Sequence, residues 1–189
     1  MPHHGQIEVI VGCMFSGKSE ELIRRLKRLA IAKKRVIVFK PSLDTRWNRG
    51  AEMVSRNGMA FDAHPIFRSS EMIEKSASYD VIGIDEAHFF DESIFAVAQE
   101  LRESGKHVIV SGLDMDFRGE PFGQIPLLMA VADAVLKLDA VCMLCGGRAT
   151  MTQRLIDWKP APYESEQILV GDEEYQARCR SCHAVLRNK

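Results

Sequence analysis

The sequence predicts an α/β fold in which helices flank a mostly parallel sheet, followed by a small cysteine-containing unit. Short apolar segments rich in β-branched residues alternate with amphipathic segments through the first two thirds of the chain. Strands that alternate with helices are typical of a parallel sheet covered on both faces. Four of the five cysteines lie in two close pairs near the C-terminus. At 189 residues the chain can form one such core and a small additional unit.

The predicted elements follow one another from residue 6 to residue 110. Gln6–Val11 predicts a buried strand, and Arg35–Phe39, Asp80–Ile84 and His107–Val110 predict three more. A first helix is predicted where Leu22, Ile23, Leu26, Leu29 and Ala30 recur at helical spacing, and a second at Asp91–Glu103. Pro41–Gly58 and Gly112–Gln124 are polar and have no regular hydrophobic pattern, which predicts loops. Loops of such length in a compact domain usually have a function.

Composition and charge exclude several classes of protein. The 25 Lys and Arg residues nearly balance the 26 Asp and Glu residues, so the overall charge predicts no nucleic-acid partner. No apolar run reaches the ~18–20 residues that a membrane span needs. The first residues lack the basic and apolar regions of an export signal. We therefore expect a cytoplasmic protein with no membrane partner.

A phosphate-binding loop is predicted between the first strand and the first helix. The residues Gly12, Cys13, Met14, Phe15, Ser16, Gly17, Lys18 and Ser19 fit the pattern G-x-x-x-x-G-K-[ST]. In such a loop the backbone N–H groups and the helix N-terminus hold the phosphates of ATP. Lys18 is expected at the β- and γ-phosphates and Ser19 at Mg²⁺. A chance match in a structural turn is the alternative, but the strand-and-helix setting favours a P-loop NTPase-type fold.

Two carboxylates follow the strand that ends at residue 84. A carboxylate at the end of a parallel strand reaches the sheet edge where the phosphate loop also lies. Asp85 is therefore predicted to join Ser19 in the Mg²⁺ shell, directly or through water. Glu86 is predicted to contact the attacking hydroxyl of the substrate, either as a general base that accepts its proton or as a group that orients it. The alternative is that both residues only begin a loop or cap a helix.

The paired cysteines predict a structural zinc site. Cys142, Cys145, Cys179 and Cys182 form two C-x-x-C pairs, a spacing that lets four thiolates surround Zn²⁺. Four protein ligands leave no open coordination position, which indicates a structural metal. His183 could replace Cys182 as a ligand. Free core cysteines or a disulfide are the alternatives, and a reducing compartment disfavours the disulfide.

These features together resemble the zinc-containing thymidine kinase family from Gln6 to His183. The resemblance is carried by an ordered series of motifs: Met14 to Ser19 (MFSGKS), Asp44-Thr45-Arg46, Asp85-Glu86-Ala87, residues 117–123 (FRGEPFG), residues 150–155 (TMTQRL), Tyr175 and the four cysteines. It implies an ATP-dependent kinase for thymidine, and also for deoxyuridine, that serves pyrimidine deoxynucleotide salvage. It also implies a homotetramer that is restrained by the triphosphate end product.

The resemblance also implies the roles of individual residues and a division of the chain. Residues 1–140 would form the ATP-binding kinase domain, and residues 141–189 a zinc-ribbon domain with a lasso-like loop over the base. Glu86 would be the catalytic base. ATP would be bound by the phosphate loop with Asp44, Thr45, Arg46, Asp85, Glu86, Ala87 and His88. The nucleoside would be bound by Met14, Phe89, Phe117, Phe122, Thr152, Glu166, Gln167, Ile168, Leu169, Val170 and Tyr175. Ordinary core packing is the alternative for the three phenylalanines.

Two residues depart from the family's pattern, and two further functions remain open. His88 stands where the family most often has glutamine, and Cys13 replaces a small residue or proline in the phosphate loop. Residues 85–88 (DEAH) also match the acidic box of one helicase class. Such motors hold ATP between two α/β lobes, for which this chain is too short. Besides this helicase-like function, the chain could be a regulatory ATPase whose zinc-binding unit docks a nucleic acid or a protein.

Overall fold

The computed structural model describes residues 5–42, 52–54, 60–168 and 174–187. Eight strands are found as far as Leu138 in these residues: β1 (Gln6–Gly12), β2 (Val36–Pro41), β3 (Glu52–Val54), β4 (Ala60–Asp62), β5 (His64–Ile66), β6 (Val81–Ile84), β7 (His107–Gly112) and β8 (Ala134–Leu138). Six of them form one sheet in the order β5-β2-β6-β7-β1-β8, with all neighbouring strands parallel. The predicted mostly parallel sheet is thus confirmed.

Helices lie on both faces of this sheet. They are α1 (Lys18–Ile31), α2 (Glu71–Lys75), α3 (Ile94–Glu103) and α4 (Ile125–Val131), and a short 3-10 helix spans Ala87–Phe89. The central strand β1 alternates between two cores. Val9 packs in the core formed with α3 and α4, whereas Ile10 packs with Leu22 and Leu26 of α1. Burial on both faces explains why Val9, Ile10 and Val11 form a continuous apolar run in β1.

The close approach of α1 to the sheet depends on a glycine in β6. A Cβ atom added to Gly83 would lie only 2.8 Å from Cδ1 of Leu26, so a larger residue would push the helix away. This packing fixes the position of the first turn of α1 relative to the end of β6. The phosphate loop and the two carboxylates at residues 85 and 86 are thereby brought to the same edge of the sheet.

The described strands that follow residue 139 pair with one another in antiparallel fashion. The hairpin of β9 (Ala140–Val141) and β10 (Arg148–Ala149) is followed by a three-stranded sheet with β11 (Met151–Ile156) between β12 (Lys159–Pro160) and β13 (Glu174–Arg178). Cys13 of the phosphate loop packs in one cluster with Cys142, Ala149 and Ala177. The C-terminal unit therefore rests directly on the phosphate loop.

Two predicted elements were wrong in detail. The helix predicted from Asp91 begins at Ile94, because the preceding residues form a turn in which the Asp91 carboxylate accepts a hydrogen bond from the backbone N–H of Ser93 at 3.0 Å. Residues 41–58 are not irregular throughout, since Pro41 ends β2 and β3 pairs with β4 in an antiparallel ribbon. Within the described ranges, no helix has both the length and the apolar character needed to cross a membrane.

Candidate active site

The phosphate loop connects the end of β1 to the start of α1. Gly12 and Gly17 have φ angles of 149° and 83°, which residues with a Cβ atom rarely adopt. A Cβ atom on Gly12 would also lie 2.5 Å from the carbonyl oxygen of Leu138. Lys18 is buried, and its Nζ donates to the Cys13 carbonyl at 2.8 Å, so the ammonium lies inside the loop. The loop therefore presents a cation and a helix N-terminus at one point.

Asp85 joins the phosphate loop to the carboxyl end of β6. The Ser19 hydroxyl lies 3.3 Å from each oxygen of the Asp85 carboxylate. The hydroxyl of Ser111, at the end of β7, donates to the same carboxylate. Burial raises the pKa of Asp85, and the hydrogen bond from Ser111 opposes that rise. A serine hydroxyl beside a carboxylate is a pair of hard oxygen donors that suits Mg²⁺.

Glu86 is held in a left-handed backbone conformation, with φ at 51°. This turn separates its side chain from that of Asp85, and 44% of the Glu86 side chain remains exposed. Close protein atoms and the neighbouring charge of Asp85 raise the pKa of the Glu86 carboxyl to about 7, against the opposing effect of Lys18. A carboxyl with such a pKa can accept a proton near neutral pH.

Three rings form a cluster next to Glu86. The His88 ring lies 4.0 Å from the Phe89 ring and 4.8 Å from the Phe122 ring, measured between centroids. The Phe89 and Phe122 rings meet edge to face at 5.9 Å. The predicted residues Phe89 and Phe122 are thus brought together beside the carboxylate. Aromatic walls of this kind suit a flat heterocyclic base.

Phe117 has different surroundings from the other two phenylalanines. Its ring is 3% exposed and lies 3.8 Å from Cζ of the buried Arg154. Arg154 in turn donates to the carbonyl of Glu166 at 2.7 Å. Phe117 is therefore buried against the guanidinium group of Arg154, which agrees with ordinary core packing. The same guanidinium group connects Phe117 to the start of the predicted lasso loop.

The beginning of the predicted lasso segment is attached to the loop that follows β7. The Gln167 amide donates to the Asp116 carboxylate at 2.9 Å, and Ile168 is exposed. Tyr175 lies on β13, opposite Arg154 of β11. Leu169 and Val170 lie outside the described residues, as do Asp44, Thr45 and Arg46.

A backbone hydrogen bond joins the phosphate loop to the C-terminal unit. The N–H of Met14 donates to the Thr152 hydroxyl at 3.0 Å across 138 positions of sequence. The Cys13 thiol is 3.4 Å from the carbonyl of Ala149. Cys13 is buried, and burial raises the pKa of its thiol, so it is present as the unreactive protonated form.

We expect Thr152→Val to lower the free energy of unfolding by ~1–3 kcal/mol, because it removes the acceptor of the partly buried N–H group of Met14. Valine has nearly the same shape, so little packing is lost. Thr150→Val is the matched control, since the Thr150 side chain is only half buried and lies two residues away. Denaturant unfolding of both variants measures the difference. Equal stability of the two would show that the bond to Met14 contributes nothing.

The four predicted cysteines form one cluster in the structure. Their sulfur atoms all lie within 4.8 Å of one another, and those of Cys145 and Cys179 are 3.7 Å apart. Tetrahedral Zn–S bonds of about 2.3 Å require sulfur separations of about 3.8 Å. The cysteines are free thiols rather than disulfides. The cluster therefore has the geometry and the soft donors needed to hold a zinc ion.

The four sulfur atoms are too close to one another to ionise independently. Burial opposes ionisation of Cys142, but the N–H groups of Cys179, Cys145 and Leu144 outweigh it and lower its pKa to about 6. Hydrogen bonds with Cys179 and Cys145 raise the pKa of Cys182 to about 12. Sulfurs this close cannot all ionise unless a positive charge is placed between them.

His183 does not belong to the sulfur cluster. Its Nε2 atom is 2.8 Å from the carbonyl oxygen of Phe117. Replacement of Cys182 by His183 as a ligand is therefore not supported, and the imidazole instead connects the second cysteine pair to the loop after β7.

Two residues of the site were not predicted from the sequence. Ser111 contacts Asp85. The sequence feature that could have indicated this contact is a hydroxyl residue at the end of β7, the strand that lies between β1 and β6. Arg118 donates to the carbonyls of Tyr163 and Ser165 at 2.7 and 2.6 Å, and so fixes the segment that precedes residue 166. No local pattern predicted these contacts, because their partners are distant in sequence.

A phosphate loop after β1, a carboxylate at the end of β6 and helices on both faces of a parallel sheet define a P-loop nucleotide-binding protein. The family model described as thymidine kinase matches residues 5–183 of this chain, and the chain belongs to the thymidine kinase family. Membership supports ATP-dependent phosphorylation of thymidine, and the four-cysteine cluster is consistent with the zinc-containing type.

Proposed function

We propose that this chain transfers the γ-phosphoryl group of Mg·ATP to the 5′-hydroxyl of thymidine, giving dTMP and ADP, and that it also accepts deoxyuridine. The observation that carries the proposal is the contact of Ser19 with Asp85 at 3.3 Å, next to the partly exposed carboxyl of Glu86. This contact places the phosphate loop and a candidate base side by side. Membership of the thymidine kinase family supports the choice of nucleoside.

Each group at this site has a distinct role in the proposed reaction. Lys18 and the N-terminus of α1 bind the transferring phosphoryl group and stabilise the charge that spreads over its oxygens. Ser19 and Asp85 would hold Mg²⁺, which would supply positive charge to offset that of the phosphates. Glu86 orients the 5′-hydroxyl in line with the phosphorus and accepts its proton.

The nucleoside pocket is proposed to lie beside Glu86. The edge-to-face pair of Phe89 and Phe122 supports it, because two such rings offer an apolar surface for a pyrimidine. Thr152 is well placed to contribute, since it reaches Met14 of the phosphate loop. The contributions of Phe117, Glu166 to Val170 and Tyr175 remain proposals that rest on the family resemblance.

Zinc, the domain boundary and the assembly form the rest of the proposal. One structural Zn²⁺ is bound by the four cysteines. Residues 1–140 form the kinase domain and residues 141–189 the zinc-binding unit, which is supported by the antiparallel pairing of the strands from Ala140 onward. The family resemblance supports a homotetramer in the cytoplasm that acts in pyrimidine deoxynucleotide salvage.

The decisive experiment incubates the purified chain with ATP, Mg²⁺ and a panel of ribo- and deoxynucleosides. We expect dTMP from thymidine and less product from purine nucleosides, measured by separation of the monophosphates. Parallel reactions contain single-stranded or duplex DNA and no nucleoside. ATP turnover that depends on DNA rather than on thymidine would replace this proposal with a helicase-like function.

A further inference from the structure

The His88 ring is held rigidly beside the proposed catalytic centre. Its side chain has no exposed surface and packs against the rings of Phe89 and Phe122. A Cβ atom added to Gly112 would lie 3.2 Å from Nδ1 of His88, so the backbone at the end of β7 also lies close to the ring. The ring therefore has little freedom to turn, and the directions of its two nitrogen atoms are fixed.

One of these nitrogen atoms determines the proton position on the other. The backbone N–H of Leu113 donates to Nδ1 of His88 at 3.1 Å, so Nδ1 must present its lone pair. Burial and the positive charge of Lys18 lower the pKa of His88 well below its usual range, which keeps the imidazole neutral. A neutral ring with an unprotonated Nδ1 carries its proton on Nε2.

The Nε2–H group is buried, and among the described residues it has no hydrogen-bond partner of normal geometry. A buried donor without a partner is costly and calls for an explanation. Oε2 of Glu86 lies 3.4 Å from Nε2, which is slightly longer than a normal hydrogen bond. Catalytic hydrogen bonds are often long in the free enzyme and shorten in the substrate complex.

We propose that His88 is a positioning residue whose Nε2–H binds Oε2 of the Glu86 carboxylate and directs the other carboxylate oxygen toward the substrate hydroxyl. This inference rests on the proposed function. A neutral donor suits the task, because it orients the carboxylate without cancelling its charge. No proton passes from His88, and the proton of the substrate hydroxyl goes to Glu86.

Two substitutions separate the two nitrogen atoms of His88. Asparagine can place an acceptor where Nδ1 stands but has no group at Nε2, whereas glutamine reaches the Nε2 position with an amide donor. We expect His88→Asn to lower kcat about 10- to 100-fold, the size of a hydrogen bond to a charged group, with the thymidine KM within about twofold. His88→Gln is expected to recover kcat to within about fivefold of the unsubstituted enzyme.

The matched control is His107→Asn. His107 lies at the opposite end of β7, where its Nε2 is 2.9 Å from Glu8, and it should leave kcat unchanged. Thermal unfolding of all three variants reports any loss of packing separately from kcat. Equal kcat for the His88→Asn and His88→Gln variants, or an increase in KM with kcat unchanged, would overturn the positioning role.

A double substitution tests whether His88 acts through Glu86. In a Glu86→Gln background, His88→Asn should lower kcat by less than about twofold, because the group that it positions is already absent. The same loss as in the unsubstituted enzyme would contradict the inference. Full activity of Glu86→Gln alone would instead contradict the proposed function, so the two failures are distinguishable.

A spectroscopic measurement is independent of activity. NMR of protein labelled with ¹⁵N-histidine, assigned by comparison with His88→Gln, should show Nε2 of His88 protonated and Nδ1 unprotonated. A proton on Nδ1 or a charged ring near neutral pH would overturn the inference, even in a fully active kinase.

Discussion

Glu86→Gln is expected to lower kcat at least ~100-fold, the usual lower size of a general-base contribution. Glutamine keeps the shape of the side chain but cannot accept the proton of the 5′-hydroxyl. The Kd for ATP should change little, because the phosphates are bound by Lys18 and the backbone of the loop. Steady-state kinetics measures the first effect, and titration with a non-hydrolysable ATP analogue measures the second.

The control for this experiment is Glu92→Gln, which removes a charge from an exposed side chain six residues away. It should retain normal kinetics. A Glu86→Gln variant that turns over at a rate close to that of the control would exclude Glu86 as the base. A large loss of ATP binding would indicate that Glu86 holds the nucleotide rather than the acceptor.

The pH dependence provides a second measure of the same group. The base must be ionised, and the pKa of Glu86 in the free protein is raised to about 7 by surrounding protein atoms and by Asp85. We therefore expect kcat/KM to rise about tenfold per pH unit up to its pKa and then to level off. Asp85 would hold Mg²⁺ during turnover, and neutralisation of its charge is expected to move this rise to lower pH. The Glu86→Gln variant should lack this rise.

Removal of zinc is expected to unfold the C-terminal unit and abolish activity. Structural zinc contributes an apparent ~10–16 kcal/mol to the folding of small zinc peptides, so the loss of one ligand is severe. Cys142→Ser tests this directly, because Cys142 is buried among the residues that contact the phosphate loop. We expect less than one zinc per chain, loss of thymidine phosphorylation and a lower melting temperature.

Met143→Ser is the matched control, since Met143 is an exposed neighbour of Cys142 within the same cysteine pair. It should retain metal and activity. Metal analysis by mass spectrometry and circular dichroism before and after chelation complete the test. A folded and active protein that contains no zinc would contradict the structural role of the cluster.

Elements that depend on local sequence were predicted well. The β-branched runs at β1, β2, β6 and β7 and the amphipathic pattern of α1 determine the element type from a few adjacent residues. The start of α3 was misplaced because Asp91, Glu92 and Ser93 are acceptable in a helix. In the structure Asp91 instead accepts hydrogen bonds from Ser93 and from Ser69, which is distant in sequence, and these bonds stabilise a turn before the helix.

The candidate site residues also divide into those that a local pattern predicted and those that only contacts between distant residues revealed. The contact between Ser19 and Asp85 followed from the phosphate-loop pattern and from the rule that parallel strands end at one edge. The contact of Ser111 with that carboxylate did not, because the place of β7 between β1 and β6 is a matter of strand order. His183 is adjacent to the predicted ligand Cys182 in the sequence, and only the structure shows that its ring contacts Phe117 and lies outside the sulfur cluster.

The sequence by itself determined the phosphate loop, the pair of carboxylates, the spacing of the cysteines and the family. Each of these is encoded in a few adjacent residues or in a series of such motifs. The tertiary structure decided which nitrogen atom of His88 accepts a hydrogen bond, how close the Glu86 carboxyl lies to the other one and how Thr152 reaches Met14. These properties depend on partners up to 138 positions apart, and such partners meet only when strand order and packing are complete.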